Sequence, residues 1–194
     1  FRDRLILDEP RIESMLTSIS DIIDLPDPIG QIIDLGKRPN GLHIKKMRTA
    51  LGVIGIIYES RPNVTIEAAC LCVKAGNTVI LLGGSEAISS NQSLAGCLSV
   101  ALERAKLPVQ AIQLVETTDR AAVGSLLKLS THIDLIIPRG GKSLVTRVAE
   151  EAQIPVIKHL DGNCHLYLDH GVDSDMALKL AINSKTNRYG TCNT

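Results

Sequence analysis

A thiol close to two cations is the first feature of this sequence that could do chemistry. Cys192 stands seven residues after Lys185 and four after Arg188, in the run Asn187-Arg188-Tyr189-Gly190-Thr191-Cys192-Asn193-Thr194. Nearby cations lower a thiol pKa and favour the thiolate, which is the nucleophilic form. Gly190 and Thr191 are small and leave room for a substrate beside the sulfur. Spacing alone also allows the blander reading, a structural cysteine. The five cysteines (Cys70, Cys72, Cys97, Cys164, Cys192) are an odd set without the spacing of a disulfide framework. Cys70 and Cys72 have one residue between them, which suits neither a redox pair nor a zinc knuckle. His159, Cys164 and His165 lie close together but lack a second ligand pair at zinc-like spacing, so no metal is expected. Cys70, Cys72 and Cys97 are expected to be buried, reduced thiols.

Three further segments carry polar groups in patterns that suit ligands. Gly83-Gly84-Ser85-Glu86 has paired glycines, which let backbone approach a ligand closely, and a carboxylate that could accept from a ribose diol. A tight turn with no ligand is the other reading of it. Pro138-Arg139-Gly140-Gly141-Lys142-Ser143 falls where a strand gives way to a helix, and there free N–H groups and the helix dipole favour a phosphate. Its Gly-Lys-Ser invites comparison with a nucleotide-hydrolase P-loop. That loop requires a glycine five positions before Gly141, where this chain has Ile136. No G-x-G-x-x-G is present either. Glu59-Ser60-Arg61-Pro62-Asn63 places a charged cluster directly after an apolar run, a position typical of sites on loops.

The elements that must hold these residues can be read from hydrophobic periodicity. A helical pattern over 1–23 is broken by Pro26, Pro28 and Gly30. Two alternating arms over 31–48, around Pro39-Asn40-Gly41, signal a β-hairpin. Its second arm is basic and half apolar, so it reads as an exposed edge available to a partner chain. From Leu51 the character changes to continuous apolar strands separated by helices. Strands are predicted over 51–58, 78–82, 111–115 and 133–137, with shorter ones over 154–158 and 165–169. Helices are predicted over 64–75, closed by Gly76; over 90–106, with Leu94, Cys97, Leu98, Ala101, Leu102 and Ala105 on one face; over 120–129, with Asp119 as N-cap; over 142–152; and over 173–183. Such alternation implies a doubly wound parallel α/β sheet, which binds ligands beyond the carboxyl ends of its strands. Chemistry is therefore expected in 59–63, 83–86, 116–119 and 138–142.

The bulk of the chain fits this picture and excludes others. Its 194 residues suffice for one large domain, or one domain and part of another. Lysine plus arginine and aspartate plus glutamate balance at 21 each, so no basic stripe points to nucleic acid. One Phe, three Tyr and no Trp leave no base-stacking platform. The apolar runs are too short to span a bilayer, and Phe-Arg-Asp-Arg at the start, with no apolar run after it, leads to no expectation of a signal peptide. The cytosol is the expected compartment.

Taken together, several segments identify a known family. They are Leu51-Gly-Val-Ile-Gly-Ile-Ile-Tyr-Glu-Ser-Arg-Pro-Asn-Val-Thr, Gly76-Asn77-Thr78-Val79-Ile80-Leu81, Gly83-Gly84-Ser85-Glu86-Ala87, Ile133-Asp-Leu-Ile-Ile-Pro-Arg-Gly-Gly, Cys164-His165 and Lys185-Thr186-Asn187-Arg188 with Thr191-Cys192-Asn193-Thr194. Through essentially its whole length the chain resembles the gamma-glutamyl phosphate reductases (glutamate-5-semialdehyde dehydrogenases), a branch of the aldehyde dehydrogenase superfamily. The resemblance implies that superfamily's fold: a cofactor domain over 1–27 and 51–162, an oligomerisation hairpin over 28–50, and the start of a second α/β domain over 163–194. It also implies NADPH-dependent reduction of L-glutamyl 5-phosphate to glutamate 5-semialdehyde and phosphate, with coupling to glutamate 5-kinase. Cys192 matches the nucleophile, whose backbone N–H would hold the oxyanion with Ser60 nearby. Gly83, Gly84, Ser85 and Glu86 match the adenosine-ribose segment, and Pro138, Arg139, Gly140 and Gly141 the turn beside pyrophosphate and nicotinamide. Arg61, Lys185 and Arg188 are counter-charges for the acyl phosphate and the substrate carboxylate. A homo-oligomer built through 31–48 is implied as well.

The sequence departs from that family in three places. Leu82 stands where relatives carry Arg or Lys, which weakens the expected preference for NADPH over NADH. No glutamate general base lies near His159 or Leu160, as suits a thioester that is reduced or phosphorolysed and not hydrolysed. Finally, the chain lacks the family's N-terminal helical segment and stops two residues after Cys192, so it is expected to be an inactive fragment.

Overall fold

The computed structural model of the chain describes residues 5–159 and 162–187. It divides into two compact units, residues 1–158 and 159–194. The first begins with helix α1 (Glu9–Asp24). Asp8 caps it by accepting from the Arg11 N–H at 3.2 Å, and Pro10 sits in the first turn, where its missing N–H costs nothing. The helix therefore begins later than the periodicity alone predicts.

Strands β1 (Ile32–Lys37) and β2 (His43–Met47) form the expected antiparallel hairpin, irregular between Asp34 and Lys37. The irregularity has a local cause: Gly36 adopts φ +80° while its N–H donates to Asp34 Oδ1 at 2.7 Å. Nearly every hairpin residue is exposed, including Ile32, Ile33, Leu35 and Met47.

Among the described residues, β3 (Val53–Tyr58), β4 (Thr78–Gly83), β5 (Ile112–Leu114) and β6 (Leu135–Arg139) form a parallel sheet in the order β5-β4-β3-β6. Residues 154–158 contribute only a single parallel bridge, Val156 to Ile136, on the outer side of β6. Both sheet faces are covered, which is why the strands read as continuous apolar runs. On one face Ile54, Ile56, Tyr58, Val79 and Leu81 pack with Met15 of α1, with α2 (Pro62–Lys74), and with Leu98 of α3 (Ile88–Arg104). On the other, Ile57, Leu82 and Ile136 pack with Val123 and Leu126 of α4 (Ala121–Leu126) and Val148 of α5 (Lys142–Glu151).

Several sequence expectations are corrected. Asp119 is not the N-cap of α4. That position is Arg120, and Asp119 instead accepts from the Ala121 N–H at 2.8 Å as a turn one residue earlier. Residues 165–169 form no strand, because none of the described residues pairs with them; Tyr167 is 82% exposed. Cys72 is buried as expected, but Cys70 is only half-buried and Cys97 is exposed. On α3 the inward face is set by Asn91, Leu98 and Leu102, and Cys97 lies about a quarter turn away from it. The second unit holds helix α6 (Ser174–Thr186), capped by Asp173, which accepts from the Met176 N–H at 2.7 Å.

Candidate active site

The strand order places the topological switch point between β3 and β6, since β4 and β5 extend from β3 in one direction and β6 lies in the other. Ligands of doubly wound sheets bind outside the carboxyl ends of the strands at such a point. A cleft of about 640 Å³ opens over the carboxyl ends of β3 and β4, lined by residues that include Glu59, Ser60, Gly83, Gly84, Ser85 and Glu86. Its volume is in the range of small-molecule sites. The opposite wall comes from Thr117, Thr118, Asp119 and Arg120 after β5, with Ser143, Leu144 and Arg147 from α5.

Two carboxylates tie the mouth of β3 to its neighbours. Glu59 Oε2 accepts from the Gly141 N–H at 2.8 Å, and the Glu59 N–H donates to the Arg139 carbonyl at 3.2 Å. A Cβ on Gly140 would crowd the Glu59 carboxylate and the end of the Leu144 side chain. The start of α5, which the sequence marks as an anion site, thus already carries an anion from within the chain. On the other side, Ser60 has φ +47°, a left-handed conformation that costs a non-glycine residue free energy. Its N–H and its Oγ both donate to Glu86 Oε1, each at 2.7 Å. Partial burial pushes the Glu86 carboxyl up. The Ser60 hydroxyl, the backbone N–H of Glu86 and the Ser60 N–H outweigh that effect and hold it below the usual carboxylate value. Glu86 curls over Gly84, where a Cβ would meet both carboxylate oxygens.

Beneath this floor lies a buried polar chain. Thr65 Oγ1 donates to Asn91 Oδ1 at 3.1 Å, so at its 2.7 Å contact with Thr65 the Tyr58 hydroxyl is the donor. Tyr58, Thr65 and Asn91 are 1%, 0% and 0% exposed. Burial pushes the Tyr58 hydroxyl up, so it stays protonated at neutral pH. Among the described residues Asn91 Nδ2 finds no hydrogen-bond partner, and it packs against Gly83 in the space a Cβ would need. The sequence did hold a signal for Asn91: it precedes Leu94 and Leu98 by three and seven residues, on the apolar face of α3.

The structure thus brings Ser60, Gly83, Gly84, Ser85 and Glu86 together around one cleft. Pro138, Arg139, Gly140 and Gly141 do not line it; α5 enters it through Ser143, Leu144 and Arg147 instead. Arg61 is the N-cap residue of α2, and Lys185 is exposed on the last turn of α6 in the second unit. Cys192 and Arg188 lie outside the described residues. Arg120 and Arg147 are absent from the segments the sequence singled out, whereas Ser143 closes the segment 138–143. Arg147 is bonded to Glu151, Nε to Oε1 at 2.9 Å, one helical turn on. Leu82, where the resemblance places a cation, is only 7% exposed and belongs to the core beneath the cleft. Among the described residues no group of His, Cys, Asp or Glu is arranged to hold a metal, and no helix is long and apolar enough to cross a membrane.

Comparison with known proteins identifies the family. A family model described as "Aldehyde dehydrogenase family" matches residues 15–194. A gamma-glutamyl phosphate reductase of Psychrobacter arcticus is 53% identical over 99% of the chain, which spans 45% of that relative's length. The solved gamma-glutamyl phosphate reductase of Thermotoga maritima is 42% identical with a TM-score of 0.87, covering 98% of this chain and 46% of that one. The Saccharomyces cerevisiae gamma-glutamyl phosphate reductase is 32% identical with a TM-score of 0.70, covering 94% of this chain and 46% of its own. The chain therefore spans about half the length of the relatives it matches.

Proposed function

The chain belongs to the aldehyde dehydrogenase family, and from that premise we propose that the full-length protein carrying it reduces L-glutamyl 5-phosphate to L-glutamate 5-semialdehyde and phosphate, the second step of proline biosynthesis. The observation that carries this reading is the 53% identity, over nearly the whole chain, with a relative of that name. The cleft at the carboxyl ends of β3 and β4 supports it. Its size, its Gly83-Gly84 floor and the Arg120 on its wall fit a phosphate-bearing dinucleotide.

In this reading the Cys192 thiolate attacks the acyl-phosphate carbonyl. A carbon–sulfur bond forms, the carbon–oxygen bond to phosphate breaks, and phosphate leaves. When bound, a nicotinamide cofactor, read as NADPH, supplies the hydride that reduces the thioester to the aldehyde and returns the thiolate. The backbone N–H of Cys192 holds the developing oxyanion. With both of its donors committed to Glu86, Ser60 is read as shaping this turn and not as an oxyanion donor. Gly83, Gly84 and Ser85 would hold the adenosine ribose, and the turn 138–141 would act on the pyrophosphate through the start of α5, which lines the cleft at Ser143 and Leu144. Arg61, Lys185 and Arg188 balance the charges of phosphate and substrate carboxylate. Residues 1–27 and 51–162 hold the cofactor, the hairpin 28–50 joins a second copy, and 163–194 opens the catalytic domain. The enzyme acts in the cytosol, coupled to the kinase that makes its acyl phosphate.

The test is run in reverse on the full-length protein. Glutamate 5-semialdehyde should drive phosphate-dependent NADP+ reduction that vanishes in Cys192→Ser and persists in Cys164→Ser. Activity that survives the loss of Cys192 would end the thiol mechanism.

A further inference from the structure

Ser60 and Glu86 lie 26 residues apart, yet the first gives both of its donors to one oxygen of the second. Two short bonds to an ionised acceptor are stronger than neutral ones. They meet at a residue whose backbone needs holding: a serine at φ +47°, only 5% exposed. A left-handed non-glycine residue persists only where its surroundings over-determine it. The chain on either side depends on that turn. One residue earlier, Glu59 runs the other way to the Gly141 N–H at the start of α5. One residue later, Arg61 begins α2. Gly84 completes the arrangement, because any side chain there would occupy the place of the Glu86 carboxylate.

We propose that Glu86 is a positioning residue: its carboxylate holds Ser60 in the left-handed conformation and so fixes residues 59–61 between the turn after β4 and the start of α5. This replaces a direct ribose contact as the role of Glu86, and it rests on the function proposed above for the cleft. The two roles differ in what each substitution does. A ribose ligand, once removed, raises the KM for the cofactor and cannot be restored from position 60. A positioning residue, once removed, lowers kcat, and a glycine at position 60 restores it, because glycine adopts that φ without being held.

The experiment compares wild type, Glu86→Ala, Glu86→Gln and the double variant Ser60→Gly/Glu86→Ala in the full-length protein, by steady-state kinetics and by amide exchange at Ser60. Glu86→Ala should lower kcat by roughly ten- to a hundredfold, the scale of a small misplacement near reacting groups, and raise the KM for NADP+ much less. Glu86→Gln keeps the acceptor oxygen and should fall between Glu86→Ala and wild type. The double variant should recover most of the loss in kcat. The Ser60 amide should be protected in wild type and exchange fast in Glu86→Ala. A double variant no better than Glu86→Ala, or a Glu86→Ala effect confined to the cofactor KM, would overturn the proposal. If the wild type lacks semialdehyde activity, the reading of function fails, and the Ser60 amide alone then decides the clamp. Equal protection of that amide with and without Glu86 refutes it.

Discussion

Adjacent glycines at the end of β4 should respond to the same substitution in opposite ways. A Cβ on Gly83 would meet Asn91 Nδ2 below contact distance and the Tyr58 ring carbon and hydroxyl at 3.1 Å. Neither neighbour can yield, since both are essentially unexposed and joined through Thr65. Overpacking a filled core costs about 1–3 kcal/mol, and displacing Tyr58 or Asn91 breaks a buried hydrogen bond at a cost of about 1 kcal/mol. Gly83→Ala should therefore lower local stability by roughly 2–4 kcal/mol. A Cβ on Gly84 would instead meet only the Glu86 carboxylate, the movable end of a side chain, at an ordinary φ of −65°. Gly84→Ala should leave the β3 and β4 core within about 0.5 kcal/mol of wild type, as changes outside the core do, while freeing the Ser60 amide and lowering kcat by displacing Glu86 from Ser60. Hydrogen exchange of β3 and β4 peptides in the full-length protein reads the local opening free energy. At a factor of ten per 1.4 kcal/mol, Gly83→Ala should exchange about 30- to 700-fold faster, and Gly84→Ala close to wild type. Wild-type exchange in Gly83→Ala would refute the packing argument, as would equal acceleration in both variants.

Four other expectations follow from the same geometry. The Glu86 carboxyl is held below its usual value, so its stabilising effect is complete above the ordinary carboxylate range and is lost as pH falls through the depressed value. Acid titration of exchange at Ser60 should show this in wild type and not in Glu86→Gln. Burial pushes the Cys72 thiol up to about 11 and the Cys70 thiol up as well, so at neutral pH iodoacetamide should label exposed Cys97 well before either, by mass spectrometry; equal rates would contradict the burial. Arg147 is engaged by Glu151 and Leu82 is in the core, which leaves Arg120 to meet an adenosine 2′-phosphate. Arg120→Ala should then raise the KM for NADPH more than that for NADH, and an equal change would remove the assignment. Ile33 and Leu35 are exposed on the hairpin, so, on the proposal that this arm joins a second copy, Ile33→Glu with Leu35→Glu should lower the mass of the full-length protein in light scattering while circular dichroism stays unchanged; an unchanged mass would remove the arm from that role.

What the sequence made legible was the local part of the design. Continuous apolar runs ended by polar clusters located strands, helices and the sheet edge where the cleft lies, because burial on both faces leaves that pattern in the chain itself. The paired glycines 83 and 84 marked a close approach, and the structure supplies the reason: Asn91 and Tyr58 beneath one, the Glu86 carboxylate over the other. The contacts that give the cleft its character were not legible. Ser60 to Glu86 spans 26 residues and Glu59 to Gly141 spans 82. Such pairings depend on strand order, which periodicity does not encode. The stretch 165–169 failed for a related reason: its side chains suit a strand, but a strand also needs a hydrogen-bonding neighbour. Cys97 was misplaced because a wide apolar face was read where α3 buries a narrow one, defined by Asn91, Leu98 and Leu102.

The central claim, a thiol that forms an acyl intermediate which phosphate then releases, is tested most directly by withholding phosphate. Mixing the full-length protein with glutamate 5-semialdehyde and NADP+ alone should give one burst of NADPH, stoichiometric with active sites. The glutamyl group should then be found on the Cys192 peptide by mass spectrometry, and added phosphate should restart turnover. Steady turnover without phosphate, or a burst of equal size in Cys192→Ser, would contradict the account.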